Sequence, residues 1–121
     1  MKTYRDLLTW QKAMILVTEI YKISKSFPKD ESYGLSSQIR RCAVSIPANI
    51  AEGYGRKSTN DYVRFLNITN GSLYELQTHL EISLNLRYIE KNDFDRVYES
   101  SREVERMLSS LIQKINNNQE H

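Results

Sequence analysis

The sequence predicts an all-α fold, an up-down antiparallel four-helix bundle. Three observations predict it. Apolar residues recur at steps of three and four through four successive segments, and no comparable stretch alternates with period two. Only four Gly and two Pro occur in 121 residues, so few residues interrupt a helix. The connections are short, which forces consecutive helices to lie antiparallel. Residues 1–115 are predicted to form the single domain, and residues 116–121 a polar tail.

The first helix is predicted to begin near Thr3 and to end before Phe27-Pro28. Thr3 and Asp6 match the Ser/Thr-x-x-acid capping pattern, in which the first side chain accepts a hydrogen bond from a free amide. The residue before a proline is pushed out of the α region, so the helix stops there. The apolar residues of this segment are Leu7, Trp10, Met14, Val17, Ile20, Tyr21 and Phe27.

The second helix contains a proline in the middle of its helical pattern. Pro47 removes a hydrogen bond at a cost of about 3 kcal/mol unless it is compensated, so we expect a kink there. Gly53 and Gly55 can supply the left-handed conformation that ends a helix. Cys42 lies on the apolar stripe and is expected to be buried. That stripe comprises Leu35, Ile39, Cys42, Ala43, Ile46 and Ile50.

The third and fourth helices are separated by a turn at residues 86–88. Ser58 and Asp61 match the capping pattern at the start of the third helix, and Asn92 and Asp95 are a close variant before the fourth. Gly71 costs about 1 kcal/mol in mid-helix, which we attribute to the close approach of a helix within the bundle or between subunits. The apolar residues are Tyr62, Phe65, Leu66, Leu73, Leu76, Leu80 and Leu86, then Phe94, Val97, Val104, Met107, Leu108, Leu111 and Ile115.

No pattern in the sequence predicts catalysis, a cofactor or a metal. A di-iron bundle needs Glu-x-x-His on two helices, whereas the only internal histidine, His79, has Glu75 four residues before it. The core-facing position of Cys42 does not suit a nucleophile, and Gly53-Tyr-Gly55 is not a phosphate loop. Acids on the fourth helix are typical of a solvated face, as at Glu99, Glu103 and Glu105. We therefore expect a protein that is not an enzyme.

Two further expectations concern location. The first dozen residues carry charges throughout, which is unlike the apolar region of a signal peptide. No apolar run has the length of a membrane span. The sequence is therefore expected to be cytoplasmic and to have no membrane partner.

Basic residues are concentrated in the first half of the chain. Residues 1–29 carry six Lys/Arg against two acids and residues 36–64 five against two, whereas residues 75–105 carry eight acids against four bases. Arg40, Arg41, Arg56 and Lys57 flank the kinked helix with Tyr54 between them, a combination that could contact phosphate and stack on a base. Lys12, Lys22, Lys25 and Lys29 could extend this patch.

Residues 38–53, with the sequence QIRRCAVSIPANIAEG, resemble the signature of a bacterial protein family encoded in intervening sequences of 23S ribosomal RNA genes. The match extends to residues 8–13, 27–28, 31, 33–35, 65–66 and 71–76. Cys42 stands where the family usually has a small residue such as Ala. The resemblance implies a four-helix bundle, commonly in a ring of five subunits.

A related group is similar in architecture, the accessory variability determinant proteins of diversity-generating retroelements. Those are basic pentamers that bind nucleic acid and a reverse transcriptase. This chain is less basic, with an acidic fourth helix.

The positions that match the family motif are Ser45, Pro47, Asn49, Glu52 and Gly53. One interpretation is structural, with Asn49 and Glu52 satisfying the carbonyl groups freed at the kink. The other interpretation is a polar binding cleft at the bend.

Three functions remain open from the sequence. The first is a homo-oligomeric scaffold, a pentamer by the family resemblance, that binds RNA or a nucleic-acid-processing protein through Arg40, Arg41, Arg56 and Lys57. The second is a protein–protein assembly module in which the tyrosines contact partner subunits. The third is an enzyme that uses the polar residues near Pro47.

Overall fold

Four α-helices and two short 3₁₀ turns make up the regular structure of the computed structural model, which describes residues 3–119. The all-α prediction is confirmed. The 3₁₀ turns are Tyr4–Asp6 and Lys29–Glu31, and the helices are α1 (Leu8–Ser24), α2 (Leu35–Tyr54), α3 (Thr59–Asn85) and α4 (Lys91–Gln119).

The helices follow one another around the bundle in chain order. Each helix packs against its neighbours in sequence, and α1 packs against α4 to close the bundle. Two ion pairs define the direction of α1 and α4, because Lys12 pairs with Glu103 at 3.2 Å while the later residue Glu19 pairs with the earlier residue Arg96. The two helices are therefore antiparallel, as the predicted topology requires.

The core consists of aliphatic side chains from all four helices, and α2 contributes the predicted stripe in full. In α1 the prediction is partly wrong, because Met14 and Tyr21 are 41% and 40% exposed. The face of α1 that is buried runs instead through Ala13, Leu16, Ile20 and Ile23. The largest fully buried side chains are Leu16, Ile20, Ile39, Ile46, Ile50, Leu66, Leu73, Leu76, Leu80, Val97, Val104 and Leu108.

The predicted capping residues have three different outcomes. Ser58 caps α3, since its hydroxyl accepts from the Asp61 amide at 3.1 Å. Thr3 forms its capping box on the 3₁₀ turn that precedes α1, not on α1 itself. Asn92 lies inside α4, which already begins at Lys91. At the other end α4 continues to Gln119, so residues 116–119 of the predicted tail are helical, and residues 120–121 lie outside the described part.

The predicted roles of the glycines are corrected by the backbone. Gly53 lies inside α2 and Gly55 has φ −79°, so neither ends the helix in a left-handed conformation. Gly53 is instead a point of close approach, since a Cβ there would lie 2.8 Å from the Phe65 Cβ. Gly71 shows the reverse, because a Cβ would meet no atom within 4 Å. Close packing within the chain therefore does not explain Gly71.

Arg87 has a left-handed backbone conformation, with φ 63°, and no other non-glycine residue among those described has a positive φ. It follows α3, where the Arg87 amide donates to the Leu84 carbonyl and the Tyr88 amide to the Ser83 carbonyl, both at 2.9 Å. These two bonds form a Schellman motif, which usually carries glycine at this position. The predicted turn at residues 86–88 is thus confirmed, with arginine in the strained position.

Candidate nucleic-acid interface

The four basic residues predicted to bind nucleic acid do not form one patch. Arg40 and Arg41 lie near the start of α2, whereas Arg56 and Lys57 follow its end. At 1.5 Å per helical residue the two pairs are about 24 Å apart. The structure therefore divides the predicted interface into two separate places.

The pair at the end of α2 is partly neutralised. Arg56 Nη2 lies 3.4 Å from Glu52 Oε1, and its guanidinium lies 4.6 Å from the centre of the Phe65 ring. Lys57 is exposed in a shallow depression that is also lined by Asp61. The carboxylate of Glu52 is exposed and accepts from Arg56, and because a carboxylate only accepts hydrogen bonds it does not satisfy a carbonyl group freed at Pro47.

Arg40 and Arg41 belong to a groove between the end of α1, the α1–α2 connection and the start of α2. This basic groove has a volume of about 590 Å³. Lys25 and Lys29 join the two arginines in its lining, and no carboxylate lines it. The remaining lining residues are Tyr21, Ser24, Phe27, Pro28, Ser32, Ser36 and Ser37. Four cations and four serine hydroxyls therefore surround one concave surface.

Arg40 is held in place by α1. Its Nε donates to Ser24 Oγ at 2.7 Å and its Nη2 to the Tyr21 carbonyl at 3.3 Å. The guanidinium stacks 4.7 Å from the centre of the Tyr21 ring. Ser24 is 3% exposed and donates in turn to the Ile20 carbonyl at 2.7 Å. The guanidinium is thus oriented before any ligand arrives, and its other N–H groups remain for that ligand.

The other three cations of the groove have no ion pair within residues 3–119. The nearby carboxylate of Glu31 is engaged elsewhere, because it accepts from the Leu35 amide at 3.1 Å and from the Tyr88 hydroxyl at 2.9 Å. These two hydrogen bonds lower the pKa of Glu31. The adjacent Asp30 does not line the groove. The positive charge of the groove is therefore not cancelled by its own lining.

The motif residues make hydrogen bonds within α2, and Ser45 also bonds to α3. Ser45 Oγ donates to the Cys42 carbonyl at 2.7 Å and lies 2.6 Å from Ser72 Oγ on α3. Asn49 Nδ2 donates to the Ser45 carbonyl at 2.8 Å. Pro47 is buried in an α2 that is helical from Leu35 to Tyr54. These contacts favour the structural interpretation of Ser45, Asn49 and Gly53.

The depression beside Pro47 has an apolar lining to which Asn49 does not belong. Its volume is about 270 Å³, and its lining combines Met14 of α1 with Val44, which is 44% exposed. We call this surface the α1–α2 apolar face, lined by Tyr4, Trp10, Met14, Val44, Pro47, Ala48 and Ala51. This face was not predicted from the sequence, because Met14 was assigned to the apolar stripe of the first helix.

The fold and the groove together define a small helical-bundle protein with one concave basic surface. The chain belongs to the 23S rRNA-intervening sequence protein family, whose sequence model matches residues 5–110. This confirms the resemblance noted from residues 38–53.

A solved structure shares the same architecture. It is a protein with unknown function from the S23 ribosomal protein family of Bacteroides thetaiotaomicron VPI-5482, with 27% identity and a TM-score of 0.78. The similarity covers 87% of this chain and 98% of that chain. No curated protein matches this chain significantly. None of the described helices is long and apolar enough to cross a membrane.

Proposed function

We propose that the protein is a non-catalytic homo-oligomeric scaffold that binds RNA through one basic groove per subunit. The observation that carries this function is the convergence of Lys25, Lys29, Arg40 and Arg41 on a surface without carboxylates. Lysine and arginine neutralise phosphates and release condensed counterions, which drives nucleic-acid binding. Serine hydroxyls add hydrogen bonds to phosphate oxygens.

Binding is favoured over catalysis by the chemistry of the lining. The groove contains no carboxylate or histidine that could move a proton at neutral pH. Of its two aromatic residues, Phe27 is buried, and Tyr21 is 40% exposed and already stacks against Arg40. Contacts of this kind recognise the sugar-phosphate backbone, so we expect little sequence preference.

The α1–α2 apolar face supports the oligomeric part of the proposed function. Met14 and Val44 are exposed beside the small residues Ala48 and Ala51, which allow another helix to approach closely. Exposed apolar patches on small soluble domains are typical of interfaces. A ring of five subunits, as the family resemblance implies, would present five grooves and strengthen binding through multivalency.

Fluorescence anisotropy of a labelled structured RNA, repeated at several salt concentrations, tests RNA binding. The groove variant replaces Lys25, Lys29, Arg40 and Arg41 by Gln. If each cation neutralises one phosphate, the slope of log affinity against log salt falls by about 3 per engaged subunit, at roughly 0.7 per contact with a single strand. Circular dichroism checks that the variant is folded.

The matched control removes the same number of charges outside the groove, at Arg56, Lys57, Lys91 and Lys114. It is expected to keep most of the wild-type slope. Equal losses in the two variants would contradict the groove and indicate binding by overall charge. No RNA binding by the wild type at low salt would refute the RNA function and leave the protein–protein assembly module.

Light scattering after size exclusion tests the oligomer. Val44→Glu places a charge on the α1–α2 apolar face and is expected to yield a smaller species. Ile68→Glu is the control and should leave the mass unchanged, because Ile68 lies on α3 and its exposure of 43% is nearly that of Val44. A wild-type monomer would exclude the oligomer, and an unchanged mass for Val44→Glu would place the interface elsewhere.

A further inference from the structure

Three residues with metal-binding side chains meet where α2 packs against α3. Cys42 comes from α2, and Glu75 and His79 lie one turn apart on α3. One ligand atom from each residue lies within 4.8 Å of the other two. The sequence predicted no metal site because Cys42 has no partner cysteine and the spacing of Glu75 and His79 does not match the di-iron pattern.

His79 is buried without the full set of partners that a buried imidazole needs. The residue is 9% exposed, and its Nε2 lies 3.3 Å from Glu75 Oε1. The other ring nitrogen, Nδ1, is buried and has no hydrogen-bond partner among the described residues. Leaving a buried polar atom unpaired is unfavourable, so such atoms in native proteins usually indicate an absent partner.

Cys42 lies at the buried side of this cluster, and Glu75 lies at its solvent-exposed side. The Cys42 thiol is 5% exposed and donates a weak hydrogen bond to the Ile39 carbonyl at 3.3 Å. Burial, with a smaller contribution from the Glu75 charge, raises the pKa of Cys42 to about 12. The Glu75 side chain is 58% exposed, which gives an ion a path from solvent. A bound cation would lower the pKa of Cys42 again, because its positive charge stabilises the thiolate.

We propose that Cys42, Glu75 and His79 bind one Zn²⁺ ion, with water in the fourth position. Thiolate sulfur, imidazole nitrogen and carboxylate oxygen are the ligands that zinc prefers, and three protein ligands plus water form a known type of zinc site. Tetrahedral zinc needs ligand atoms roughly 3.3–3.8 Å apart, so the side chains must move together by about 1 Å. The exposed Glu75 side chain is free to make that adjustment.

Binding exchanges a proton for the metal. The sulfur–hydrogen bond of Cys42 breaks, the sulfur keeps the electron pair and bonds to Zn²⁺, and the proton passes to the buffer. No electron is transferred. About one proton should therefore be released for each ion bound near neutral pH, because a thiol ligand must be deprotonated.

Calorimetric titration of reduced protein without a histidine tag tests the site, first with Zn²⁺ and then with Co²⁺ as an optical probe. The wild type should bind one ion per chain and release about one proton, measured by comparing buffers of different ionisation enthalpy. The Co²⁺ complex should show a thiolate-to-metal charge-transfer band in the near ultraviolet. Zinc should also raise the melting temperature of the wild type.

Three variants distinguish this site from nonspecific Zn²⁺ binding at the surface. Cys42→Ala and His79→Gln should each weaken Zn²⁺ binding by at least about tenfold, since even the loss of an outer-shell partner costs about 10–100-fold. Cys42→Ala should also abolish the charge-transfer band and the proton release. Glu81→Gln is the control, because it removes another exposed α3 carboxylate and should bind as the wild type does.

Two results would overturn the zinc site. One is the absence of binding by the reduced wild type. The other is equal affinity and stoichiometry in the wild type and Cys42→Ala. Cys42→Ala removes only a sulfur atom from a buried position and should remain folded, which circular dichroism verifies. If it does not fold, His79→Gln decides by the same affinity criterion.

Discussion

Replacing Gly53 by alanine should separate α2 from α3. An added Cβ would lie 2.8 Å from the Phe65 Cβ, 3.2 Å from Tyr62 Cδ1 and 3.3 Å from the Tyr62 carbonyl oxygen. The Phe65 Cβ and the Tyr62 carbonyl are fixed to the α3 backbone. Rotation of a side chain therefore cannot relieve the contact, and the two helices must move apart at the end of α2.

The expected magnitude is a difference between two terms. Alanine is favoured over glycine inside a helix by about 1 kcal/mol. Overpacking of a close contact costs about 1–3 kcal/mol, and the backbone contacts at Gly53 place this site at the upper end. The net destabilisation is then about 1–2 kcal/mol. With an unfolding entropy of roughly 2.1 cal/mol/K per residue, the melting temperature should fall by about 4–8 °C.

Gly71→Ala is the matched control, since Gly71 is exposed and a Cβ there meets nothing within 4 Å. It should raise stability by about 0.5–1 kcal/mol, or about 2–4 °C. Far-ultraviolet circular dichroism during heating, at one protein concentration for all samples, measures both. Equal stabilisation by the two substitutions would refute the close approach at Gly53. A loss of stability in Gly71→Ala would instead place Gly71 in a contact between subunits.

Three further predictions test local contacts. Glu31→Gln should destabilise the protein at pH values above the usual Glu pKa of about 4.3, because the folded-state pKa of Glu31 is lowered. The difference in unfolding free energy between wild type and variant should vanish as the pH falls. Denaturation at several pH values measures this difference, and a constant difference would contradict the prediction. Arg87→Gly should stabilise by about 0.5–1 kcal/mol by removing a left-handed arginine, and an unchanged melting temperature would contradict that strain. A double-mutant cycle of Ser45→Ala and Ser72→Ala should give a coupling of about 0.5–1.5 kcal/mol, and additive effects would argue against their hydrogen bond.

The fold was predictable from periodicity because the helices are long and each buries one face. The stripe of α2 was correct in full, since Val44 is the one large apolar residue that is exposed on this helix and a single residue makes no competing stripe. In α1 the method failed, because Met14 and Ile15 are exposed apolar residues beside the buried stripe. Periodicity alone does not choose between two apolar faces on one helix.

The sites were less predictable because they depend on the register between helices. Arg40 and Lys25 meet because antiparallel packing places the end of α1 beside the start of α2. The same topology separates Arg40 from Arg56 by the length of α2, a separation that helical rise alone could have revealed. The approach of Cys42 to His79 was not accessible in this way, because it depends on the relative register of α2 and α3.

The acidic fourth helix does not oppose nucleic-acid binding as its composition suggests. Its acids are largely engaged in ion pairs, with Lys12 and Arg96 among their partners. The helix lies diagonally across the bundle from α2, at about 11–14 Å for helices 8–10 Å from their neighbours, which exceeds the Debye length of about 8 Å at physiological salt. Under the proposed function, the attraction for phosphate is therefore set by the four cations of the groove, and the net charge of +2 understates it. The other carboxylates of α4 also pair with basic side chains: Glu99 with Arg106, Glu105 with Arg102, and Asp95 with Lys91.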